Sequence, residues 1–386
     1  MISLPDVRHK VDTARFGPFT FETGIDAQAI ILSLQRVEDA HRRFIDSPLS
    51  QVASQLEREV IAGSVFGTNT IEGGTLSEEE TAQVLEMDPA IVQQEEQRRA
   101  VNIKAAYRLA QQAAMNPDWR LSLDFIHAVH AAITQGLSHP RNQPGVLRDN
   151  AKDTITYVGD SAHGGRYKPP QYGGDIQRLL EQLVQWHNQL CDENVPALVR
   201  APLVHFYYEL IHPFWDGNGR VGRVLEATVL QAAGYRYAPF AMARYYLEHI
   251  DRYFTLFNQC RKEAEKGADR PNTAFVQFHL EGMLTVVNRL HDRVNAIVSL
   301  LLFKNQAREL YETKEINARQ YTILSQIMGA GRLMSLSELR AAPWYRSLYL
   351  KRSDKTGQRD LRGLLDRDLI YLDQDDRLRP GYMKPA

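Results

Sequence analysis

The sequence predicts a mainly α-helical protein with one inserted β-hairpin. Apolar residues recur at intervals of three and four along most of the 386 residues, which is the spacing of one face of a helix. Strand-like alternation is confined to DTITYVG at 153–159, where Ile155 and Tyr157 alternate with threonines. A glycine-rich turn separates this segment from RYKPP at 166–170, so the two stretches are expected to pair as a hairpin.

The predicted helices follow one another along the chain. They cover 26–45, 49–66, 77–87, 90–115, 121–135, 173–190, 197–211, 219–233, 247–265, 271–303 and 317–330. A charged segment, KNQARELYETKE, begins at Lys304, directly after the apolar stretch VNAIVSLLLF. This change predicts a domain boundary, and the length of the chain allows several domains. We expect an N-terminal helical region at 1–99, a core at 100–303 and a smaller unit at 304–386.

The charge balance and the cysteine content limit the function classes. The chain has 46 Lys+Arg and 47 Asp+Glu, so its overall charge gives no support for a polyanion-binding role. Cys191 and Cys260 fit neither a metal-ligand spacing nor a disulfide framework, and a cytoplasmic location is expected. MISLPDVRHK contains no apolar leader, and no later apolar run has membrane-spanning length, so neither export nor membrane insertion is expected.

Residues 304–386 resemble a winged helix, with three predicted helices and a short two-stranded wing. The helices are NARQYTILSQIMGAG, LSELRAAPWYRS and SDKTGQRDLRGLLDRDLI, and YLDQDDRLRPGY is the predicted wing. We expect Thr356 to cap the third helix.

The charges of this unit leave its partner open. It carries 16 Lys+Arg and 11 Asp+Glu, against 30 and 36 in the rest of the chain. Cations of the third helix could contact DNA phosphates, namely Lys355, Arg359 and Arg362. Aspartates interleave with them at Asp360, Asp366 and Asp368. This favours a scaffold or homodimer contact over DNA binding.

The stretch HPFWDGNGRVGR at 212–223 concentrates polar chemistry in one turn. Pro213 disfavours helical geometry in the residue before it, so the preceding apolar helix is expected to finish at His212. The glycines within 217–219 permit a backbone that points successive N–H groups into one concavity. The next helix is expected to begin there.

An anion at the start of that helix would meet unpaired amides, the positive end of the helix dipole, and Arg220 with Arg223 on one helix face. Asp216 is a hard oxygen ligand suited to Mg²⁺, and His212 is a base whose ordinary pKa lies near working pH. Taken singly, each residue is better explained as part of a tight connection between helices. Together they are what metal-assisted transfer of a phosphate-linked group requires.

These residues resemble the signature of the Fic family, which reads HPF, any residue, Asp or Glu, GNGR, two residues and Arg. Every fixed position is present at 212–223. The resemblance covers about 100–300 and implies a Fic-type helical bundle core. Within it the hairpin is similar to the family's flap, preceded by a GxxR element at Gly145–Arg148. His205 also matches a family histidine, and we interpret it as a core or supporting residue.

The resemblance implies transfer of AMP from ATP to a Ser, Thr or Tyr hydroxyl of a target protein, and of the chain itself, with release of pyrophosphate. His212 would take the proton from the hydroxyl, and Asp216 would hold Mg²⁺ on the α- and β-phosphates. The phosphate-binding residues it implies are Gly217, Asn218, Gly219, Arg220 and Arg223, with Arg223 on the γ-phosphate.

Further contacts are implied by position alone. The flap residues Thr156, Tyr157 and Val158 would pair with an extended target segment by strand addition. Tyr253 and Phe254 lie where the family usually has a tyrosine pair, which implies contacts with adenine. Phenylalanine at the second position lacks the hydroxyl.

The segment GTNTIEGG at 67–74 follows a predicted helix. Thr68 and Glu72 would share a helix face, and Gly73 would end the helix, which by itself describes a solvated face and a cap. This segment is similar to the inhibitory helix of Fic proteins. The resemblance therefore implies that the Glu72 carboxylate pairs with Arg223 and blocks the γ-phosphate position.

Two function classes remain. One is a self-inhibited protein adenylyltransferase, within which Glu72 could alternatively position water for removal of AMP. The other is a DNA-binding regulator whose Fic core senses a nucleotide. The presence of His212 favours the enzyme, because a sensor needs no base.

Overall fold

The computed structural model describes residues 4–329 and 334–384, and the predicted mainly helical fold is confirmed. The chain divides into two compact units, one made of residues up to 46 together with 53–291, and the other of residues 47–52 together with those from 292 onward. Residues 4–46 and 53–99 thus share one unit with residues 100–291 of the predicted core, whereas 292–303 belong to the other unit. The division falls at residue 292, whereas the sequence predicts it at 304.

The first unit is built from helices joined mostly by short loops. They are α1 (Ala27–Ile45), α2 (Ala53–Ile71), α3 (Glu78–Glu86), α4 (Glu95–Ala114), α5 (Leu123–Thr134), α6 (Gly173–Asp192), α7 (Ala197–Ile211), α8 (Asn218–Ala232), α9 (Ala238–Glu248), α10 (Ile250–Glu265) and α11 (Thr273–Glu312), of which α11 continues past residue 292. The predicted start of helix 247–265 is wrong, because the chain leaves helical geometry at His249 and α9 precedes it. Within 4–329 and 334–384, no helix is long and apolar enough to cross a membrane.

Helix α8 lies at the centre of the first unit. It packs against α4, α5, α7 and α9, and it is buried on nearly all faces. Its first turns carry Arg220 and Arg223, which are buried although they are charged. Buried cations require partners. The surroundings of this helix therefore identify the polar site of the unit.

The chain begins with a β-hairpin that the sequence did not predict. Strands β1 (Arg8–Asp12) and β2 (Pro18–Glu22) pair antiparallel, with Val11 opposite Phe19. Phe19 and Phe21 pack against the rings of Trp186 and Tyr207. Two five-residue strands gain their stability from this packing rather than from their own pattern.

The hairpin predicted at 153–170 forms only in part. Val158 and Tyr167 exchange both backbone hydrogen bonds, at 2.9 and 2.8 Å, and among the described residues this is the only β-bridge in the segment. Beyond this pair, a side chain takes the place of the partner strand, because Gln171 Oε1 accepts a hydrogen bond from the amide of Thr156 at 2.7 Å. The prolines at 169 and 170 have no N–H to donate. Residues 153–170, called the flap below, are therefore a loop with one bridged pair.

The second unit contains the end of α11, four shorter helices and a small sheet. These are α12 (Ala318–Gly329), α13 (Leu336–Ala341), α14 (Pro343–Leu348), α15 (Asp354–Leu365), β3 (Met334–Ser335), β4 (Ile370–Leu372) and β5 (Arg377–Pro380). The strands are antiparallel in the order β3-β5-β4, and the elements enclose their own apolar core. Ala330, the last residue of predicted helix 317–330, lies outside the described residues.

Two details predicted for this unit are wrong. LSELRAAPWYRS is broken into α13 and α14, because Pro343 can begin a helix but cannot donate a hydrogen bond within one. Thr356 is not the cap of the third helix, since α15 begins at Asp354 with Ser353 before it. Thr356 lies inside the first turn, where its hydroxyl is 3.3 Å from that of Ser353.

Candidate functional site

The turn between α7 and α8 is shaped by two left-handed residues. His212 has φ 48° and ends α7, and Gly217 has φ 80° and precedes α8. The side chain of Asn218 closes the turn, because its Oδ1 accepts from the amide of Phe214 at 3.0 Å and its Nδ2 donates to the Phe214 carbonyl at 2.8 Å. The Asn218 side chain, which the sequence places among the phosphate ligands, is thus committed to the loop. Its backbone amide remains at the helix N-terminus.

Arg148, from the predicted GxxR element, holds this turn in place through its guanidinium group. It is fully buried, and its Nε donates to the carbonyl oxygen of His212 at 2.6 Å. Nη2 donates to the carbonyls of Pro170 and Ile211, and Nη1 donates to Asn150 Oδ1 at 2.7 Å. Burial lowers the pKa of Arg148 to about 10, which leaves the guanidinium charged at neutral pH. A left-handed histidine costs backbone energy, on the order of 1–3 kcal/mol, and these bonds hold it in place.

His130 supports the same turn and was missed by the sequence reasoning. Its ring stacks on Phe214 with 3.6 Å between centroids. Its Nδ1 accepts from the amide of Gly145 at 2.9 Å, so the proton lies on Nε2, which donates to the carbonyl of Asp216 at 3.1 Å. Burial lowers the pKa of His130 to about 4, and the ring is neutral at physiological pH. A buried histidine on a helix gives no sequence signal of such a role.

The side chain of His212 is only partly exposed and borders a cavity. Its Nδ1 lies 3.4 Å from Oε2 of Glu209, three residues earlier on α7. Burial would raise the pKa of the Glu209 carboxyl, but the adjacent His212 side chain is the first of several neighbours that lower this pKa overall. Glu209 is thus an anion that faces one ring nitrogen of His212. Nε2 is left as the nitrogen for a substrate.

Asp216 and Arg220 form a close pair. Arg220 Nη2 donates to both carboxylate oxygens, at 2.9 and 3.0 Å. Burial would raise the pKa of Asp216, but the charge and hydrogen bonds of Arg220 lower it overall. Within the part of the chain that the structure describes, Nε and Nη1 of Arg220 have no hydrogen-bond partner although they are buried. These donors are suited to an anionic ligand.

Asp216 is also the residue to test as a metal ligand. It exposes 32% of its side chain. Residues 4–329 and 334–384 contain no cluster of three or more His, Cys, Asp or Glu side chains that could hold a metal ion. Mg²⁺ commonly uses one or two carboxylates together with substrate phosphates and water, so a single carboxylate beside a phosphate site fits that ion.

Arg223 binds four groups at once. Its Nε donates to Thr68 Oγ1 at 2.6 Å, and Nη2 lies 3.5 Å from the Thr68 carbonyl and 2.5 Å from Glu72 Oε1. Nη1 donates to the hydroxyl of Tyr253 at 3.3 Å. Burial alone would lower the pKa of Arg223, but Tyr253 and Glu72 raise it overall. The structure thus brings Thr68 and Glu72 to Arg223.

The approach of Glu72 depends on backbone features. Helix α2 was predicted over 49–66, but it begins at Ala53 and continues to Ile71, so Glu72 follows its last residue directly. Gly73 has φ 81°, which turns the chain away from the helix. A Cβ at Gly219 would collide with Glu72 Oε1. Glycine at 219 therefore serves the contact with Glu72 as well as the turn.

A cavity of about 320 Å³ joins these groups. Its polar lining includes His212, Glu209, Gly219, Arg223 and Glu72, and its other walls come from the flap and α10. Phe254 lines it and is half-buried. Tyr253 also borders the cavity, but its ring stacks on Tyr246 at 4.5 Å and its hydroxyl accepts from Arg223. The ring face of Tyr253 is therefore not open to an adenine ring.

The flap is tied to α10 by a residue that the sequence reasoning missed. Asn258 Nδ2 donates to the carbonyls of His163 and Gly165, at 2.9 and 2.8 Å. Asn258 follows Phe254 by one helical turn, which is the only signal for it. Of the predicted target-binding residues, Tyr157 is exposed, whereas Thr156 and Val158 are half-buried and use backbone groups within the flap.

Part of the chain is similar to known proteins. The sequence model of the Fic/DOC family matches residues 120–230. A relative named protein adenylyltransferase fic-1, from Caenorhabditis elegans, is 27% identical over 207 residues, which is 52% of this chain and 38% of the relative. Protein adenylyltransferase Fic from Culex quinquefasciatus is 26% identical over 222 residues, 57% of this chain and 40% of the relative. The chain thus spans about two fifths of these relatives.

Solved structures show the same fold. A Fic family protein from Desulfovibrio desulfuricans superposes with a TM-score of 0.55 at 19% identity, over 91% of this chain and 95% of that one. Fic-1 from C. elegans, residues 134–508, gives a TM-score of 0.54 at 23% identity, over 70% and 74%. At these identities the likeness concerns the fold.

Proposed function

We propose that this protein transfers AMP from ATP to a Ser, Thr or Tyr hydroxyl of a protein and releases pyrophosphate, and the match of the Fic/DOC family model to residues 120–230 supports this proposal. One observation carries the proposal. His212, the N-terminus of α8 at Gly219 and the buried cation Arg223 border one cavity of about 320 Å³. A base, an amide-lined anion site and a positive charge are the groups that this transfer needs.

His212 is the proton acceptor in the proposed reaction. Its Nδ1 faces the Glu209 carboxylate, so Nε2 takes the proton of the target hydroxyl. The hydroxyl oxygen forms a bond to the α-phosphorus, and the bond from this phosphorus to the bridging oxygen breaks. Pyrophosphate carries away the electron pair. Glu209 stabilises the imidazolium that forms.

The phosphates are bound at the start of α8. The amides of Asn218, Gly219 and Arg220 are the free N–H groups of a helix N-terminus, and the dipole of the helix adds to their attraction for anions. Arg220 contributes Nε and Nη1, which have no partner among the described residues. Asp216 would hold Mg²⁺, which neutralises phosphate oxygens when bound. Arg223 takes the γ-phosphate.

The position of Glu72 supports self-inhibition as part of this proposal. Its carboxylate occupies Nη2 of Arg223 at 2.5 Å, where a γ-phosphate oxygen would otherwise bind. ATP then lacks one charge-assisted contact and is held less well in line for attack. The same carboxylate borders the cavity, so it could also orient water for removal of AMP, which is the alternative reaction at this site.

The test uses ATP labelled at the α-phosphate, with Mg²⁺ and either purified protein alone or a cell lysate. Transfer predicts labelled protein, and His212→Ala is expected to abolish the labelling. His9→Ala, in β1, is the matched control and should label as the unchanged protein does. Full labelling by His212→Ala would remove His212 as the base, and equal labelling from γ-labelled ATP would indicate phosphoryl transfer instead.

A second candidate function is nucleic-acid contact through α15. Asp360 counted against it in the sequence, but Asp360 is buried and accepts from Arg319 Nε at 2.7 Å and from Tyr349 OH at 2.9 Å. Its charge is neutralised within the unit, whereas Lys355, Arg359 and Arg362 are exposed. Of the three interleaved aspartates, Asp360 is thus withdrawn from the surface, whereas Asp366 and Asp368 stay exposed.

Retardation of duplex DNA on a gel tests this candidate. Phosphate contacts release counterions, so binding should weaken steeply with salt and should fall in the double variant Arg359→Ala, Arg362→Ala. Arg308→Ala, an exposed cation paired with Glu312, is the control. No retardation of any duplex at low salt would leave a scaffold or dimer contact as the role of this unit.

A further inference from the structure

A chain of buried polar groups lies behind Arg223. The hydroxyl of Tyr253, which accepts from Arg223 Nη1 at 3.3 Å, is 3.0 Å from Nε2 of His205. His205 Nδ1 is 2.6 Å from Oε2 of Glu226. All four side chains are at least 95% shielded from solvent. None of the last three is needed for proton transfer or phosphate binding as described above.

The direction of each hydrogen bond follows from chemistry. Arg223 can only donate, so the Tyr253 oxygen accepts from it and the Tyr253 O–H is free to donate to His205 Nε2. His205 then carries its proton on Nδ1 and donates to Glu226. This arrangement satisfies every group. It also connects Arg223 with a buried carboxylate through two neutral side chains.

The far end of the chain is an anion. Burial would raise the pKa of Glu226, but the neighbouring His279, at 3.6 Å, and the hydrogen bonds from His205 and Tyr246 lower it overall. Tyr246 donates to both oxygens, at 2.8 and 2.9 Å. A buried anion polarises the bonds that lead away from it, which makes the Tyr253 oxygen a stronger acceptor.

The three residues that contact the Arg223 guanidinium differ in their exposure to solvent. Nε is held by Thr68 and Nη1 by Tyr253, and both contacts are inside the fold. Glu72, on Nη2, is 29% exposed and follows the end of a helix. Loss of Glu72 from Nη2 therefore leaves the guanidinium plane in place. A Cβ at Gly222 would lie 2.7 Å from His205 Cδ2, so glycine there lets α8 approach the chain of polar groups.

We propose that Tyr253, His205 and Glu226 form a positioning relay that holds Arg223 in the orientation needed to bind the terminal phosphate of ATP. This inference rests on the proposed function, in which Arg223 takes the γ-phosphate. The relay acts on one end of the nucleotide. Its loss weakens recognition of the γ-phosphate and leaves recognition of the α-phosphate at Arg220 unaltered.

The experiment compares binding of ATP and AMP to the full chain by calorimetry, in a Glu72→Gly background so that Arg223 is free. Tyr253→Phe removes only the linking hydroxyl. We expect the Kd for ATP to rise on the order of tenfold, because a hydrogen bond to a charged group is lost, and the Kd for AMP to change less than about twofold. Glu226→Gln, which keeps the shape but removes the charge, should shift the ATP Kd in the same direction by a smaller factor.

Tyr107→Phe is the matched control, because it removes a buried tyrosine hydroxyl that is bonded to Ser64 at 2.7 Å rather than to a member of the relay, and the ATP-to-AMP affinity ratio should not move. Equal weakening of ATP and AMP binding by Tyr253→Phe, or a change as large in Tyr107→Phe, would overturn the relay and indicate general damage to the cavity. Failure of the Glu72→Gly parent to bind ATP at all would overturn the proposed function as well. Steady-state rates give a second readout, in which Tyr253→Phe should raise KM for ATP more than it lowers kcat.

Discussion

Replacement of Glu72 by glycine is expected to increase AMP transfer. The change removes the carboxylate from Arg223 Nη2 and frees that nitrogen for the γ-phosphate. It leaves the contacts of Arg223 with Thr68 and Tyr253 in place. The substitution is at the end of α2, where the backbone already turns, so the fold should tolerate it.

The magnitude follows from the pair itself. Hydrogen bonds to charged groups contribute roughly 1.5–3 kcal/mol, and more when both partners are buried. Arg223 exposes 4% of its side chain but Glu72 exposes 29%, so solvent screening favours the lower end of that range. Since about 1.4 kcal/mol corresponds to a factor of ten, the gain should be on the order of tenfold.

The assay is the initial rate of incorporation of α-labelled AMP at a fixed ATP concentration below KM. Glu72→Gln should give an intermediate gain, because the amide oxygen can still accept a weaker hydrogen bond. Glu57→Gln, on the same helix but away from the cavity, is the matched control and should have no effect. Arg223→Ala should not mimic the gain, because it relieves inhibition but also deletes the phosphate ligand. The double variant should be no more active than Arg223→Ala alone.

An unchanged rate in Glu72→Gly would refute the inhibitory role and leave GTNTIEGG as the end of a helix. A lower rate of labelling would show that Glu72 contributes to transfer. Loss of AMP release from a modified substrate would favour the AMP-removing reaction.

Two other perturbations follow from the supports of the site. Arg148→Ala leaves three carbonyl groups without the guanidinium that donates to them. It should lower the free energy of unfolding, measured by denaturant titration, by on the order of 3 kcal/mol. Replacement of the exposed Arg141 by alanine should change this free energy little. A loss as small as that of Arg141→Ala would contradict the role of Arg148. Asp160 and then Asp251 raise the pKa of His163, so its ion pairs are complete below the usual histidine pKa of about 6.5 and are lost as pH rises through the raised value. Hydrogen exchange in the flap, corrected for its intrinsic pH dependence, should therefore accelerate as the pH rises above about 6.5, and Asp251→Asn should reduce this change. A flat profile would show that His163 does not hold the flap in place.

Helix boundaries that are set by neighbouring residues were predictable from the sequence. Helices α7 and α8 lie within one residue of the predicted 197–211 and 219–233, because Pro213 and the glycines beside it act on their own backbone. The break at His249 has neither glycine nor proline to mark it, and the periodicity runs across it. The hairpin β1–β2 depends on Trp186 and Tyr207, which lie far away in the sequence.

The candidate site was also predictable only in part. A motif shows which residue types are present, and it placed His212, Arg220, Arg223 and Asp216 near one another. It does not show where a side chain points. Asn218 turns back to Phe214 within the motif, and Tyr253 turns towards His205 on another helix. Glu209 is not part of the motif although it lies only three residues before His212, and the role of Asn258 arises only when α10 and the flap are assembled.

The supports of the turn also limit where this motif can work. The left-handed His212 is held by a guanidinium from residue 148, and the carbonyl of Asp216 is held by an imidazole from residue 130. A graft of residues 212–223 onto another pair of helices would carry the Asn218 closure and leave both of these donors behind. The histidine would then be free to return to an ordinary backbone conformation, and its ring would leave the anion site. An engineered version must therefore transplant the α5 segment and the loop to Arg148 together with the signature, as one discontinuous unit.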